Sequence, residues 1–397
     1  MDLETAKQRV RAEVERLGDR LEQVAARIHA RPELLFEERF AADLLSSELE
    51  AAGLEVTRGA FGVETAFVAH PTGAAADGAG PSVAILCEYD ALPGIGHGCG
   101  HNLIAAAGLG AGLAAAAIAA EAGGRLTVLG TPAEEGGGGK IRLIEAGAFD
   151  DVDVAMMVHP APLDLSEADV IAIATWQVDY HGQGAHAAAS PERGRNALDA
   201  AVLGYNAVAA LRQHIGPRER IHGVFLKAGE KPNIVPDHTV AEWYVRSPDM
   251  AGLRSLKERV LACLQGGAAA AGCTMTVTPT CPEYSELRTN GPLIDLYRAN
   301  SAALGRPVPE PTAATRVTVS TDMGNVSLAV PSIHPLVAVA PPEVALHTAG
   351  FAQWAGGTEE ARRAVQDGAA AMAMTAADVW LRPEALEEIR ARFLPGP

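Results

Sequence analysis

From Leu103 to Ala120 the chain carries no charged residue. A run of this length must be covered, either by lipid or by the rest of the protein. Its residues decide between the two. The stretch is mostly Ala and Gly with occasional Leu and Ile, and it follows directly on the polar segment His97-Gly98-Cys99-Gly100-His101. It therefore reads as a helix buried on all sides beneath a site, with no membrane partner. Large elements must surround it. The 397 residues exceed the size at which single cores stop growing, so two domains are expected. Aromatics are only 5%, so packing must rest on small side chains that let helices and strands approach closely.

The flanking pattern sets the fold class. Residues 4–53 read as two amphipathic helices broken near Arg31-Pro32, and Val56–His70 as a strand. The apolar run Ser82–Cys87 suits a central strand covered on both faces. Arg125–Gly130 and Val152–His159 read as further strands, with a helix over Lys140–Ala148 between them. This alternation predicts an α/β domain with a mixed, largely parallel sheet. From residue 172 the order becomes strand, helix, strand, strand, helix, strand, a ferredoxin-like α+β unit. The predicted architecture is a discontinuous catalytic domain, 1–171 with 286–397, and an inserted domain over 172–285.

Net charge and cysteine usage narrow the partners. A net charge of -17 argues against nucleic acid and against anionic membrane surfaces. Five scattered cysteines do not form a disulfide framework, and the N-terminus reads as lacking a secretory signal. Both features predict a reducing, cytoplasmic setting.

In open α/β sheets, ligands bind beyond the carboxyl ends of strands. Three predicted strands end in polar clusters: Glu88-Tyr89-Asp90 running on to Cys99 and His101, then Glu134-Glu135, then His159-Pro160. Cys99 and His101 lie two apart among glycines that let the backbone bend, and thiolate and imidazole suit zinc or a similar ion. The plainer alternative is a buried thiol beside a hydrogen-bonded histidine. Adjacent Glu134 and Glu135 point opposite ways in extended backbone, so one can hold metal while the other acts as general base; a solvated acid pair is the alternative. Gly136–Gly139 lacks the phosphate-loop spacing, which argues against nucleotide binding. His347, alone near the C-terminus, is a structural histidine unless the site needs a further ligand.

The segments Glu88-Tyr89-Asp90-Ala91-Leu92-Pro93 and His97-Gly98-Cys99-Gly100-His101-Asn102 resemble the aminoacylase and carboxypeptidase family of dinuclear metallopeptidases. The likeness is to its amidohydrolase branch with a Cys-x-His metal motif, which includes auxin-conjugate hydrolases, aminobenzoyl-glutamate hydrolases and small dipeptidases. Thr131–Gly136, His159-Pro160, Gly184–Pro191 with Gly194–Ala197, Pro232–Asp237, Ser320–Asn325 and His347 extend it over nearly the whole chain. The resemblance implies metal ligands at Cys99, His101, Glu135, His159 and His347, binding two divalent ions per subunit, zinc ahead of manganese or cobalt. It implies Glu134 as general base and Asp90 as the residue orienting a ligand. His186 would reach a partner subunit's site in a homodimer and stabilise the oxyanion, while Asn233 and Arg246 would contact substrate. His97 falls outside the ligand set, behind it or facing substrate. Asn102 stands where many branch members have Asp, as in the dipeptidase-like subgroup.

The function implied is hydrolysis of the amide bond of an N-acyl amino acid or dipeptide by a metal-activated water. The alternatives are a non-catalytic metal-binding regulatory protein on the same fold, a carboxypeptidase-type exopeptidase, and a hydrolase using Cys99 as nucleophile. Chelator treatment separates the last, since cysteine chemistry survives loss of metal.

Overall fold

A computed structural model describes residues 1–72 and 80–396. The chain divides into two compact units, one of Met1–Asp169 with Leu287–Pro397 and the other of Val170–Glu286.

The first unit is built on a six-stranded sheet in the order Leu54–Arg58, Phe67–Pro71, Arg125–Thr131, Ser82–Glu88, Val154–Met156, Ser332–Ile333. The last four strands pair in parallel and the first two join antiparallel. Every residue of Ser82–Glu88 is buried, as a central strand with both faces covered requires. The helix His101–Ala122 is long and apolar enough to cross a bilayer, but 83% of its apolar window is buried inside the protein. It packs between the first helix, Leu3–His29, the late helix Glu359–Leu381 and the central strands. Small residues make this possible: a Cβ on Gly108 would meet Leu86 O at 2.6 Å, and one on Gly112 would meet Val128 Cγ2 at 2.6 Å.

One expected strand is two. Val56–His70 divides into Leu54–Arg58 and Phe67–Pro71, an antiparallel pair turned through Gly59 and Gly62, both in the left-handed region. Similarly, the segment expected as a strand over Val152–His159 forms Val154–Met156 and then His159–Ala161, which pairs in parallel with Leu336–Ala338.

The second unit holds a four-stranded antiparallel sheet in the order Thr274–Pro279, Ala172–His181, His238–Ser247, Arg220–Lys227. In chain order this is 4-1-3-2, the ferredoxin-like arrangement. Alternate residues Ala172, Ala174, Trp176, Val178 and Tyr180 face one side, where the helices Ala197–Leu211 and Met250–Ala270 cover them. Arg220–Lys227 forms an edge, with Val224 and Leu226 59% and 58% exposed.

Candidate metal centre and active site

The parallel strands of the first unit deliver their C-terminal residues to one edge, and the helix His101–Ala122 starts there. Its first residue follows Gly100, which is left-handed (φ 80°) and so close to Pro160 that a Cβ would sit 2.6 Å from its Cγ. The Cys99–His101 turn is thereby pressed against His159-Pro160.

Asp90 organises what lies above. Its Oδ1 accepts from His101 Nδ1 at 2.9 Å and its Oδ2 accepts the backbone N–H of Glu135 at 2.9 Å. His101 Nδ1 therefore carries a proton, and the ring turns Nε2 toward the site. His159 is fixed likewise, its Nδ1 donating to Pro160 O at 2.7 Å. His347 reaches the same place from the far end of the chain, with Nε2 3.4 Å from Glu135 Oε1.

Three sets of donor atoms result, Cys99–His101–His159, Cys99–Glu135–His347 and Glu88–His101–Glu134, each gathered within 4.8 Å. The first two share Cys99, so one thiolate could bridge two cations. The separations are those of ligands on a common ion. Two donors each about 2.0–2.3 Å from a tetrahedral ion lie roughly 3.4–3.6 Å apart. Cys99 Sγ to His159 Nε2 is 3.5 Å, and His347 Nε2 to Glu135 Oε1 is 3.4 Å. His101 Nε2 and Glu135 Oε1 are buried with no hydrogen-bond partner. Orphaned buried polar atoms are costly, and bound cations account for these. The residues present fit two divalent ions.

Electrostatics set the acids apart. Burial lifts Glu134 well above the usual carboxylate range, and the charges of Glu88, Glu135 and Asp322 add to this. Burial holds His159 down to about 4, reinforced by the His101 charge. Burial also pushes the Cys99 thiol up, so the thiolate needs a bound cation. Unaided cysteine nucleophilicity is disfavoured for the same reason.

The loop carrying the two glutamates is strained and braced. Ala133 has φ 60° and His347 φ 61°, non-glycine residues in the left-handed region that cost about 1–3 kcal/mol each. Glu38, fully buried, accepts the N–H of Ala133 at 2.9 Å and that of Phe36, also left-handed, at 3.0 Å. The following glycines are steric. A Cβ on Gly139 would lie 1.8 Å from Pro132 O, and one on Gly137 would lie 2.6 Å from Ala133 Cβ.

Several features lie outside the sequence reading. Lys140, with no exposed surface, is ion-paired to Glu88 and, at 2.7 Å, to Asp322 Oδ1. His334 is 3% exposed with both ring nitrogens unpartnered, its ring 5.4 Å from that of His159. A sequence signal existed for it, since His334-Pro335 repeats the dipeptide His159-Pro160 at the end of the neighbouring parallel strand. His97 is buried, with Nε2 3.2 Å from Ile28 O on the first helix. Asn102 is also turned away, its amide donating to Ala25 O and Ala355 O, so it ties helices together.

In the second unit, His186 and Asn233 lie on adjoining loops, linked by the Ala187 N–H to Asn233 O contact at 3.0 Å. His186 Nδ1 accepts two backbone N–H groups, from Ala188 and Ala189, which leaves Nε2–H as an exposed donor. Arg246 lies elsewhere. Those loops adjoin the His181–His238 end of the sheet, whereas Arg246 pairs with Ile173 at the other. Eight residues of strand between His238 and Arg246 span roughly 27 Å.

Residues 84–349 match the family described as Peptidase family M20/M25/M40, and the chain belongs to it. It is 40% identical to the Xaa-Arg dipeptidase of Mus musculus over 99% of this chain and 93% of that protein. It is 35% identical to a p-aminobenzoyl-glutamate hydrolase subunit of Escherichia coli over 67% of this chain and 59% of that one. The fold is similar to that of a dinuclear metal-binding M20 peptidase of Bacillus subtilis, with a TM-score of 0.68 at 19% identity, covering 91% and 98% of the two chains. The protein is a metal-dependent hydrolase of amide bonds.

Proposed function

We propose that this chain hydrolyses small dipeptides, preferentially those with a basic C-terminal residue, at a two-metal centre held by Cys99, His101, Glu135, His159 and His347. The observation that carries this reading is the pair of donor sets sharing Cys99, with Glu134 one residue from Glu135. Bound there, two divalent ions (zinc ahead of manganese or cobalt) would polarise the scissile carbonyl and lower the pKa of water.

The chain's own residues do the rest. Glu134, its carboxyl raised by burial and neighbouring acids, takes the proton of the attacking water and returns it to the leaving amine. Asp90 orients His101 and anchors the Glu135 backbone. His186 Nε2–H donates to the developing oxyanion, and Asn233 assists on the same loop pair. Arg246, half-buried, binds the substrate carboxylate. The preference for a basic residue rests on the near full-length similarity to a dipeptidase named for Xaa-Arg and on the net charge of -17, which draws cationic substrates.

The working unit is a homodimer. A dipeptide cannot span the roughly 27 Å of strand that separates Arg246 from the His186 end of one sheet, so each site takes Arg246 from one chain and His186 from another. The exposed apolar edge Arg220–Lys227 offers the pairing surface. Among the described residues no cysteine forms a disulfide, which suits a cytoplasmic setting and keeps Cys99 available.

The experiment is Glu134→Gln. The variant should retain its metal content and lose about 10²–10⁴-fold in kcat. Near-full turnover would remove Glu134 from its role.

A further inference from the structure

Glu38 stands at the N-terminal end of the helix Arg39–Ala51, yet its side chain makes no capping bond to that helix. A neighbour does so instead: Glu33 accepts the N–H groups of Phe40 at 3.1 Å and Ala41 at 3.0 Å. The Glu38 carboxylate, with no exposed surface, turns the other way. Its Oε1 takes the N–H of Phe36 and, 95 positions away in the chain, that of Ala133. Burying an acid costs desolvation, and nothing in its own helix offsets it. The remote turn is what this carboxylate serves.

That turn carries Glu134. Ala133 is left-handed (φ 60°), a conformation that non-glycine residues avoid. Its carbonyl accepts the N–H groups of Gly137 at 3.0 Å and Gly139 at 3.4 Å, so Ala133 is pinned at both its carbonyl and its N–H. On the other side of Glu134, the Glu135 N–H is held by Asp90 Oδ2. Two buried carboxylates thus fix the backbone immediately before and immediately after Glu134. Their duties differ. Asp90 also bonds His101 and so serves the metal, whereas Glu38 bonds Phe36 and Ala133, neither of which is a metal donor.

We infer that Glu38 is a positioning residue for the general base: by holding the Ala133 N–H it keeps Ala133 left-handed, and so aims Glu134 at the attacking water. The inference rests on the reading of Glu134 as that base. Without the bond, Ala133 relaxes toward an ordinary backbone conformation and the competent turn becomes a minor state. Turnover then falls with the population of that state. Metal binding is spared, because Asp90 still holds Glu135.

The rival explanation is that Glu38 merely satisfies two buried N–H groups and stabilises the fold. Steady-state kinetics of the zinc-loaded protein on an Xaa-Arg dipeptide separates the two, with circular dichroism reporting the fold. Glu38→Met fills the space but accepts nothing. It should lose about 10–100-fold in kcat, with KM and zinc content unchanged. Glu38→Gln restores an acceptor and should recover most of that loss. Ala133→Gly tests the conformation itself, because glycine enters the left-handed region without a clamp. Added to Glu38→Met, it should raise kcat at least about fivefold, which a purely structural role does not predict. Glu38→Asp, which keeps the charge but withdraws the oxygen, is a milder variant should Glu38→Met not fold. Its kcat should fall in the same sense and recover with Ala133→Gly. Wild-type kcat in the folded Glu38 variants, or a loss that Ala133→Gly does not relieve, would overturn the inference. Turnover surviving in Glu134→Gln would instead bring down the reading on which it rests.

Discussion

Asp90 Oδ1 lies 2.9 Å from His101 Nδ1, and neither side chain has exposed surface. This contact decides which nitrogen His101 turns toward the site. Because the other Asp90 oxygen holds the Glu135 backbone, one carboxylate aligns one residue from each of the two donor sets that share Cys99.

Removing that carboxylate should loosen both sets at once. Asp90→Ala is expected to weaken zinc binding by about 10–100-fold, with Asp90→Asn intermediate because an amide oxygen still accepts from His101. Chelator competition measures this directly. Unchanged affinity in Asp90→Ala would show that His101 is oriented by packing alone.

Glu38 predicts a pH dependence of stability. Burial, with the Asp90 charge adding, raises its carboxyl to about 7 from an ordinary 4.5. The folded state thus holds this proton more tightly than the unfolded chain. Stability is greatest below 4.5 and falls as pH rises through the window up to about 7. Between pH 5 and 8 the loss is roughly 2–3 kcal/mol. Denaturant unfolding of metal-free Glu38→Gln should lack this component, since glutamine accepts the Ala133 and Phe36 N–H groups without titrating. An identical slope in wild type and variant would refute it.

The dimer reading makes a quantitative prediction for mixed variants. His186→Ala and Arg246→Ala should each be nearly inactive alone. After subunit exchange at equal amounts, half the dimers are mixed and one of their two sites is whole, restoring roughly a quarter of wild-type activity. No recovery, with exchange confirmed by mass spectrometry of intact dimers, would place His186 and Arg246 in separate roles.

Much of this arrangement is legible in the sequence because its logic is local. The glycines around Cys99, the strand-end glutamates and the charge-free Leu103–Ala120 run each report on their own backbone. Likewise, the order of strands and helices from residue 172 suffices for the ferredoxin-like unit. What stays hidden depends on distant pairing. Lys140 meets Asp322 from 182 positions away, and neither position carries a periodic signal. His97 sits within the metal motif, yet the left-handed Gly96 and Gly100 on either side turn it toward Ile28. Asn102 follows a ligand in sequence, but one position along a helix rotates a side chain by about 100°, so it faces Ala25 and Ala355 instead. The division of Val56–His70 turns on Gly59 and Gly62, whose φ angles sequence pattern does not reveal.

The central claim is metal-dependent cleavage of dipeptides with a basic C-terminal residue, and one assay tests it most directly. Chelator-stripped protein, with and without added zinc or manganese, is incubated with Xaa-Arg and Xaa-Lys dipeptides, neutral dipeptides and N-acyl amino acids, and released amino acids are read by mass spectrometry. The account predicts no turnover in the stripped protein, recovery on adding metal, and a higher kcat/KM for the Arg and Lys dipeptides than for neutral ones. Turnover that persists in fully stripped protein, or metal-restored activity confined to neutral acyl amino acids, would contradict it.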